Sequence, residues 1–207
     1  MLSRERIRKI VLLSAVFLVF AAFVFLTWRQ CGYWRNSIEL FNHAIASTKN
    51  NYLAHNNLGV ALAAEGRDEE ALINYRQAIK INARYDNAHY NLANLLTRQG
   101  KTEEAVSHYR MAVYSNPEYA EAYTGLGVNL VRLRQYDEAI VNYRKALQLQ
   151  PNNSGIHLNL GAALADQGRL QEAIDHFRTA VYLNPGYDAA RRALKLALEI
   201  EKRQKSN

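Results

Sequence analysis

The chain has 207 residues, of which 49% are apolar and 22% are charged, and this composition excludes a wholly disordered protein. Its net charge is +7, but residues 52–187 carry thirteen Lys and Arg against fourteen Asp and Glu. Proteins that bind nucleic acid place basic side chains on the binding surface, so this near-neutral centre argues against DNA or RNA as a ligand.

The first predicted element is a transmembrane helix over residues 10–28. No residue in this stretch is charged, and nineteen residues at about 1.5 Å each span roughly 28 Å, close to the apolar thickness of a bilayer. Residues 1–9 form a basic flank with four Lys and Arg against one Glu, which favours a cytoplasmic N-terminus. We therefore expect a single-pass membrane protein whose remaining residues lie on the exoplasmic side, in a periplasm or a secretory lumen.

A cleaved signal peptide is the alternative, because a basic stretch also precedes the apolar segment of such peptides. The apolar run is longer than a signal peptide needs, and residues 27–31 lack the small side chains at a cleavage site. Cleavage there would instead yield a soluble, secreted protein. The uncleaved anchor is the favoured interpretation.

A period of 34 residues organises most of the remaining chain. Small residues recur at Gly59, Ala93, Gly127 and Gly161, and a second series at Ala71, Ala105, Ala139 and Ala173 keeps the same period. Such a period predicts a solenoid of stacked units with an extended binding surface. The predicted repeats are residues 52–85, 86–119, 120–153 and 154–187, with a half repeat over 29–51 and a capping helix and tail over 188–207.

Each repeat is predicted to contain two amphipathic helices. In the first copy, Ala71, Tyr75, Ala78 and Ile79 follow helical spacing, and Gly66 ends the preceding helix. Asp68 is expected to cap the second helix. Acidic residues such as Glu69 and Glu70 at the start of second helices suit the helix dipole better than acid–base catalysis.

These motifs resemble the tetratricopeptide repeat family, whose pattern of Leu, Gly or Ala, an aromatic residue, Ala and Pro the chain matches over 52–187. In the second copy the matching residues are Leu92, Ala93, Leu96, Ala105, Tyr109, Ala112 and Pro117. The resemblance implies an all-α, right-handed superhelix that binds an extended peptide or a partner protein. It implies no catalytic residue, no cofactor and no metal.

A second resemblance concerns residues 4–60. The stretch Trp28–Ser37, followed by Leu40, Phe41 and Ala54–Gly59, is similar to the junction in polytopic mannosyltransferase-like glycosyltransferases, where the last membrane helix enters C-terminal repeats. The chain has none of the earlier membrane helices that carry that family's catalytic carboxylates. The alternative function is therefore a noncatalytic substrate-recognition module of a split or truncated membrane glycosyltransferase, with that enzyme as partner.

The candidate binding residues lie on the first helix of each repeat. Asn57, Asn91 and Asn159 share one register position, which Gly125 occupies in the third repeat. The position resembles the asparagine ladder that holds a peptide backbone in the repeats of O-linked N-acetylglucosamine transferases, and an amide offers both a donor and an acceptor. Solvated or locally bonded asparagines are the alternative interpretation.

The same register adds further groove candidates: Asn56, Tyr90, Asn94, Arg98 and Arg132. The two arginines, one repeat apart, suit an acidic side chain of a peptide, although plain solvated charge is the alternative. The Lys and Asn set that binds chaperone C-termini in other members of the family is absent. His55, His89 and His157 also recur, but residues a repeat apart are too distant to share a metal ion, so packed histidines are expected.

Overall fold

The computed structural model describes residues 37–206, which form ten α-helices and no strand. The helices are α1 (Ser37–Ser47), α2 (Tyr52–Ala64), α3 (Asp68–Ile81), α4 (Asp86–Arg98), α5 (Thr102–Ser115), α6 (Ala120–Arg132), α7 (Tyr136–Leu149), α8 (Ser154–Asp166), α9 (Leu170–Leu183) and α10 (Asp188–Ser206). The prediction of an all-helical solenoid is confirmed for this part of the chain. Residues 1–36 and 207 lie outside it, and so does the predicted membrane segment at 10–28.

The helices pack as four successive helix–turn–helix pairs, with α1 against the first pair and α10 against the last. First helices of neighbouring repeats also contact each other, as α2 with α4, α4 with α6 and α6 with α8. The second helices α3, α5, α7 and α9 make no such contacts with one another. The first helices therefore line the inner, concave side of the array, and the second helices form its outer side.

The periodic small residues lie where two helices of a pair approach closely. Ala71, Ala105, Ala139 and Ala173 are fully buried. A Cβ atom added at Gly59 would lie 2.6 Å from the ring of Tyr75, and the same holds for Gly127 with Tyr143 and Gly161 with Phe177. The glycines are thus required because an aromatic ring of the partner helix fills the space beside them.

The turn inside each repeat needs a left-handed residue. Gly66, Gly100 and Gly168 have φ values of 77°, 74° and 79°, and Arg134 occupies the same place in the third repeat with φ 58°. The expected cap at Asp68 is wrong, because the helix begins one residue earlier than the sequence indicated. Arg67 holds the cap position, its side chain makes no capping bond to the helix backbone, and Asp68 lies in the first turn.

Arg134→Gly should raise the free energy of unfolding by about 0.5–1 kcal/mol. A non-glycine residue in the left-handed region is strained by about 1–2 kcal/mol, and the greater entropy of an unfolded glycine offsets part of that gain. Chemical denaturation measures the change. Arg134→Ala is the matched control, since alanine removes the same side chain but keeps a Cβ atom at φ 58° and should not gain stability. A destabilised Arg134→Gly variant would contradict the strain.

Ion pairs join the second helices along the outer surface. Each pair links an arginine to a glutamate one repeat further on: Arg76–Glu104 at 3.9 Å, Arg110–Glu138 at 2.9 Å and Arg144–Glu172 at 3.5 Å. Such exposed pairs contribute little stability individually. Among residues 37–206, no helix is both long and apolar enough to cross a bilayer.

Candidate functional site

The concave surface carries almost no charge, and amide and hydroxyl groups supply most of its polar atoms. A central cavity of about 420 Å³ lies between the first helices of the second, third and fourth repeats. Its wall includes Tyr90, Asn94, Thr97, Tyr109, Glu121, Thr124, Gly125, Val128, Asn129, Gln150, Asn153, Gly155, Ile156 and Asn159. Glu121 is the one ionisable acid among these lining residues, and Gln150 Nε2 donates to its carboxylate at 2.7 Å.

A second cavity of about 490 Å³ lies between the first helices of the first and second repeats. Val60, Ala63 and Ala64 make one side apolar, while Asn91, Asn94 and Arg98 lie on the other. Asn94 and Thr97 line both cavities and therefore lie at their boundary. The two cavities together follow the concave surface over all four repeats.

The predicted asparagines occur in three different environments. Asn56 is buried and accepts a bond from Asn91 Nδ2 at 2.9 Å, while its own Nδ2 donates to Asn57 Oδ1 at 3.2 Å. Asn57 is exposed. Asn56 thus links the first and second repeats, and its carbonyl and amide are both engaged within the chain.

Asn159 is half-buried in the wall of the central cavity and has no hydrogen-bond partner among the described residues. Its amide can therefore offer a donor and an acceptor together, which matches what a peptide unit requires. Of the three asparagines at the ladder position, Asn159 has the amide with the fewest engaged atoms.

Gly125 interrupts the ladder because a tyrosine of the preceding repeat fills its place. A Cβ atom at Gly125 would lie 2.5, 2.6 and 2.8 Å from Cε1, Cζ and the hydroxyl oxygen of Tyr109. The hydroxyl of Tyr109 donates a hydrogen bond to Asn94 Oδ1. Burial raises the pKa of Tyr109 to about 12, so the phenol keeps its proton at neutral pH.

The sequence pattern did not assign Tyr109 to the groove. In the family pattern its position belongs to the core aromatic, and its side chain is indeed 2% exposed. Gly125 was the available signal, since a missing side chain in an otherwise regular series indicates that another group occupies the space. Tyr90, which was predicted, packs edge-on to Tyr109 at 6.1 Å and against Tyr119 at 4.8 Å.

Both predicted arginines have partners within the chain. Arg98 forms an ion pair with Asp68 at 2.8 Å, and Arg132 Nη1 donates to the carbonyl oxygen of Thr97 at 3.3 Å. Their side chains stand at the C-terminal ends of α4 and α6, on one rim of the concave surface. An acidic ligand residue would have to compete with Asp68 for Arg98.

Two histidine pairs link the helices of the second and fourth repeats. The Nδ1 atoms of His89 and His108 are hydrogen-bonded at 3.0 Å, and so are the Nδ1 atoms of His157 and His176 at 3.0 Å. The outer nitrogens of the first members bond to carbonyl oxygens, His89 Nε2 to Ala83 at 3.1 Å and His157 Nε2 to Pro151 at 3.0 Å. Because a carbonyl oxygen only accepts, the Nε2 of His89 and of His157 carries the proton, and the Nδ1 of the same ring is left as an acceptor. In each pair the second ring, His108 or His176, therefore donates from its Nδ1.

Asparagines replace the second histidine in the first and third repeats. His55 Nδ1 bonds to Asn74 Oδ1 at 3.1 Å, and the Nδ2 of Asn74 donates to the carbonyl oxygen of Glu70 at 2.9 Å. Asn142 donates to the carbonyl of Glu138 in the same way at 2.8 Å. The first and third repeats thus have an asparagine on the second helix, and the second and fourth repeats have a histidine pair. Within residues 37–206, no three His, Cys, Asp or Glu side chains converge to hold a metal ion.

Comparison with known proteins gives matches to two family models. The model described as "TPR repeat" matches residues 61–100 and 129–168, and the model described as "Tetratricopeptide repeat" matches residues 87–119 and 155–187. Both models match twice, at positions 68 residues apart. No curated protein sequence matches the chain.

Several solved structures share the fold. The structure of YrrB, described as a TPR protein with an unusual peptide-binding site, is 24% identical with a TM-score of 0.73, over 80% of this chain and 85% of its own. A structure of MamA is 22% identical with a TM-score of 0.68, over 76% of this chain and 92% of its own. MamA 41-end from Desulfovibrio magneticus RS-1 is 24% identical with a TM-score of 0.62, over 68% of this chain and 79% of its own.

Proposed function

Because residues 61–119 and 129–187 place this chain in the tetratricopeptide repeat family, we propose that it is a scaffold that binds an extended segment of a partner protein on its concave surface. The observation that carries the proposal is the central cavity, where amides and hydroxyls are exposed on an almost uncharged wall. Such groups bind the polar backbone of a peptide without requiring a particular side chain. The peptide-binding site named for YrrB, which shares this fold, supports the same use.

The apolar part of the surface indicates which side chains the peptide carries. Val60, Ala63 and Ala64 line the second cavity, and Val128 and Ile156 line the central one. Polar groups of the second repeat, Asn91 and Asn94, lie between these apolar regions. We infer a peptide with small apolar residues on either side of a backbone segment that bonds to the second repeat.

Selection from a displayed library of random decapeptides supplies the probe for the test. Asn91→Ala together with Asn159→Ala should raise the Kd of a selected peptide about tenfold or more, because each lost hydrogen bond contributes about 1 kcal/mol. Fluorescence polarisation measures the Kd. Asn152→Ala is the control, since Asn152 is exposed and lines neither cavity.

Asn91→Ala also removes a bond to the buried Asn56, and a small loss of melting temperature is expected from it. Asn159→Ala alone separates the two effects, because Asn159 bonds to no described residue. Unchanged affinity in the double variant, or failure to select any peptide, would overturn the proposed groove.

We further propose that residues 10–28 anchor the scaffold in a membrane, with the N-terminus cytoplasmic and the repeats exoplasmic. The uncharged stretch of bilayer length and its basic flank support this arrangement. The full chain should remain with membranes after alkaline extraction, whereas Leu18→Arg with Val19→Arg should release it. Extraction of the unaltered chain would contradict the anchor.

The second candidate is a noncatalytic recognition module of a membrane glycosyltransferase. The stretch from Trp28 to Gly59, with its similarity to the junction of such enzymes, favours it. Reading the DNA upstream of Met1 for a series of apolar segments tests this candidate. An adjoining open reading frame that encodes a polytopic membrane protein would support the glycosyltransferase module. An unrelated upstream region, together with the absence of a co-purifying polytopic partner, would oppose it.

A further inference from the structure

Tyr109 lies differently from the equivalent aromatic residue in the other three repeats. Tyr75, Tyr143 and Phe177 occupy the space over a glycine of their own repeat, only 2.6 Å from where its Cβ would lie. In the second repeat that glycine is replaced by Ala93, whose real Cβ excludes the same placement. The ring of Tyr109 is instead directed to Gly125 of the next repeat, where a Cβ would lie 2.5 Å away.

Tyr109 lies in the wall of the central cavity on the concave surface. The hydroxyl donates to Asn94 Oδ1, so the carbonyl end of this amide is engaged by the protein. The two N–H groups of Asn94 have no partner among the described residues, and they lie where the two cavities meet. Asn159 differs, because neither end of its amide is engaged.

We propose that Tyr109 is a positioning residue that fixes Asn94 as a hydrogen-bond donor, and that this donor binds one backbone carbonyl oxygen of the peptide. The inference rests on the proposed peptide groove and specifies one contact within it. A freely rotating amide would present either its oxygen or its nitrogen to a ligand, whereas in this orientation the Asn94 oxygen is directed to Tyr109 and both N–H groups are left for the ligand. The fixed orientation also lowers the entropy that Asn94 loses on binding.

The variants Tyr109→Phe and Tyr143→Phe make the same chemical change at one register position. Phe177 shows that the position accepts phenylalanine, and Tyr143 has no hydrogen-bond partner among the described residues. We expect Tyr109→Phe to raise the Kd of the selected decapeptide about fivefold, from the loss of part of one hydrogen bond. Tyr143→Phe should leave the Kd within twofold.

A thioamide scan of the same decapeptide tests the donor directly, because sulfur is a weaker acceptor than a carbonyl oxygen. Sulfur at the carbonyl that meets Asn94 should raise the Kd about fivefold for the wild-type chain and for Tyr143→Phe. That penalty should disappear in Asn94→Ala and should fall to about twofold in Tyr109→Phe, where the freed amide turns its nitrogen to the ligand only part of the time. N-methylation of the same peptide unit should change the Kd less than sulfur does, since the Asn94 oxygen is directed to Tyr109 and the N–H groups are directed to the ligand.

The outcomes separate this contact from the groove itself. If Asn159→Ala weakens peptide binding while the thioamide penalty in Tyr109→Phe is as large as in the wild-type chain, the groove stands and the role of Tyr109 is wrong. If sulfur at none of the peptide carbonyls raises the Kd for the wild-type chain, the role of Asn94 as a donor is also rejected. If no decapeptide binds the wild-type chain, the proposed function fails before this contact is considered. Binding is measured well below the melting temperature of each variant, so loss of folding is seen separately.

Discussion

Gly125→Asn is expected to lower the free energy of unfolding by about 1–3 kcal/mol, although it restores the amide that the other three repeats carry at this position. The new Cβ would lie 2.5–2.8 Å from Tyr109, whose ring is buried and whose hydroxyl is bonded to Asn94. Because the Tyr109 ring is closely packed, it can move away from the new Cβ only by losing contacts with its neighbours. Urea denaturation followed by circular dichroism measures the loss.

Adding Ala93→Gly should recover at least half of that loss. With a glycine at 93, Tyr109 can take the place that Tyr75 and Tyr143 hold in their repeats, and the Cβ at 125 is then accommodated. Ala93→Gly alone should cost about 1 kcal/mol, as glycine does within a helix. The double variant should therefore be more stable than the sum of the two single changes predicts. Strict additivity would contradict the steric coupling of Ala93, Tyr109 and Gly125.

Stability is expected to fall as the pH is lowered from about 6.5 to about 4. Burial, the neighbouring His89 and the charge of Arg76 lower the pKa of His108 to about 4, with Glu104 acting weakly in the opposite direction. Burial also lowers the pKa of His89 and of His176. In this window the unfolded chain binds protons that the folded chain does not, so acid favours unfolding.

The contribution of His108 is present in full above pH 6.5 and is lost as the pH falls to about 4, and it amounts to about 2–3 kcal/mol. A doubly protonated pair would place two N–H groups against each other across the 3.0 Å between the Nδ1 atoms. Melting temperatures across this range measure the effect. Carboxylates such as Glu70 and Glu172, whose pKa their arginine partners lower, act only below about pH 4.5.

His108→Asn with His176→Asn is the matched control for this window. Asn is the residue that the first and third repeats use at the same place, and Asn74 there bonds to His55 at 3.1 Å. The variant should fold and should lose less stability between pH 6.5 and 4.5 than the unaltered chain. An identical pH profile in both proteins would show that these pairs do not control the dependence.

The period of the sequence was sufficient to predict the helical pairs. Leucines and alanines at fixed offsets determine which helix faces pack, and the glycines mark close approach to an aromatic ring. The displacement of Tyr109 was not predictable from this pattern, because the family accepts Ala93 and glycine at one position as equivalents. Only the combined geometry of Ala93, Tyr109 and Gly125 shows that one methyl group redirects a ring into the next repeat.

The candidate groove could be placed by register, but the state of each polar group could not. Asn91 and Asn159 share one register position, yet the Asn91 nitrogen donates to Asn56 whereas Asn159 has no partner among the described residues. The partner of Arg98, Asp68, lies thirty residues away in the preceding repeat. Such pairings depend on the offset between stacked repeats, which a repeat motif does not encode.

The alternation of histidine pairs with asparagine contacts has a consequence for how an array of this kind can grow. Residues 52–119 and 120–187 are two copies of one larger unit, each with its histidine pair in the second half. A copy of 120–187 added after Tyr187 would create a junction like that between the second and third repeats. Each histidine pair joins two helices of the same repeat, so neither the 68-residue unit nor a single inserted repeat would break a pair, and a single insertion would change only the order of the alternation.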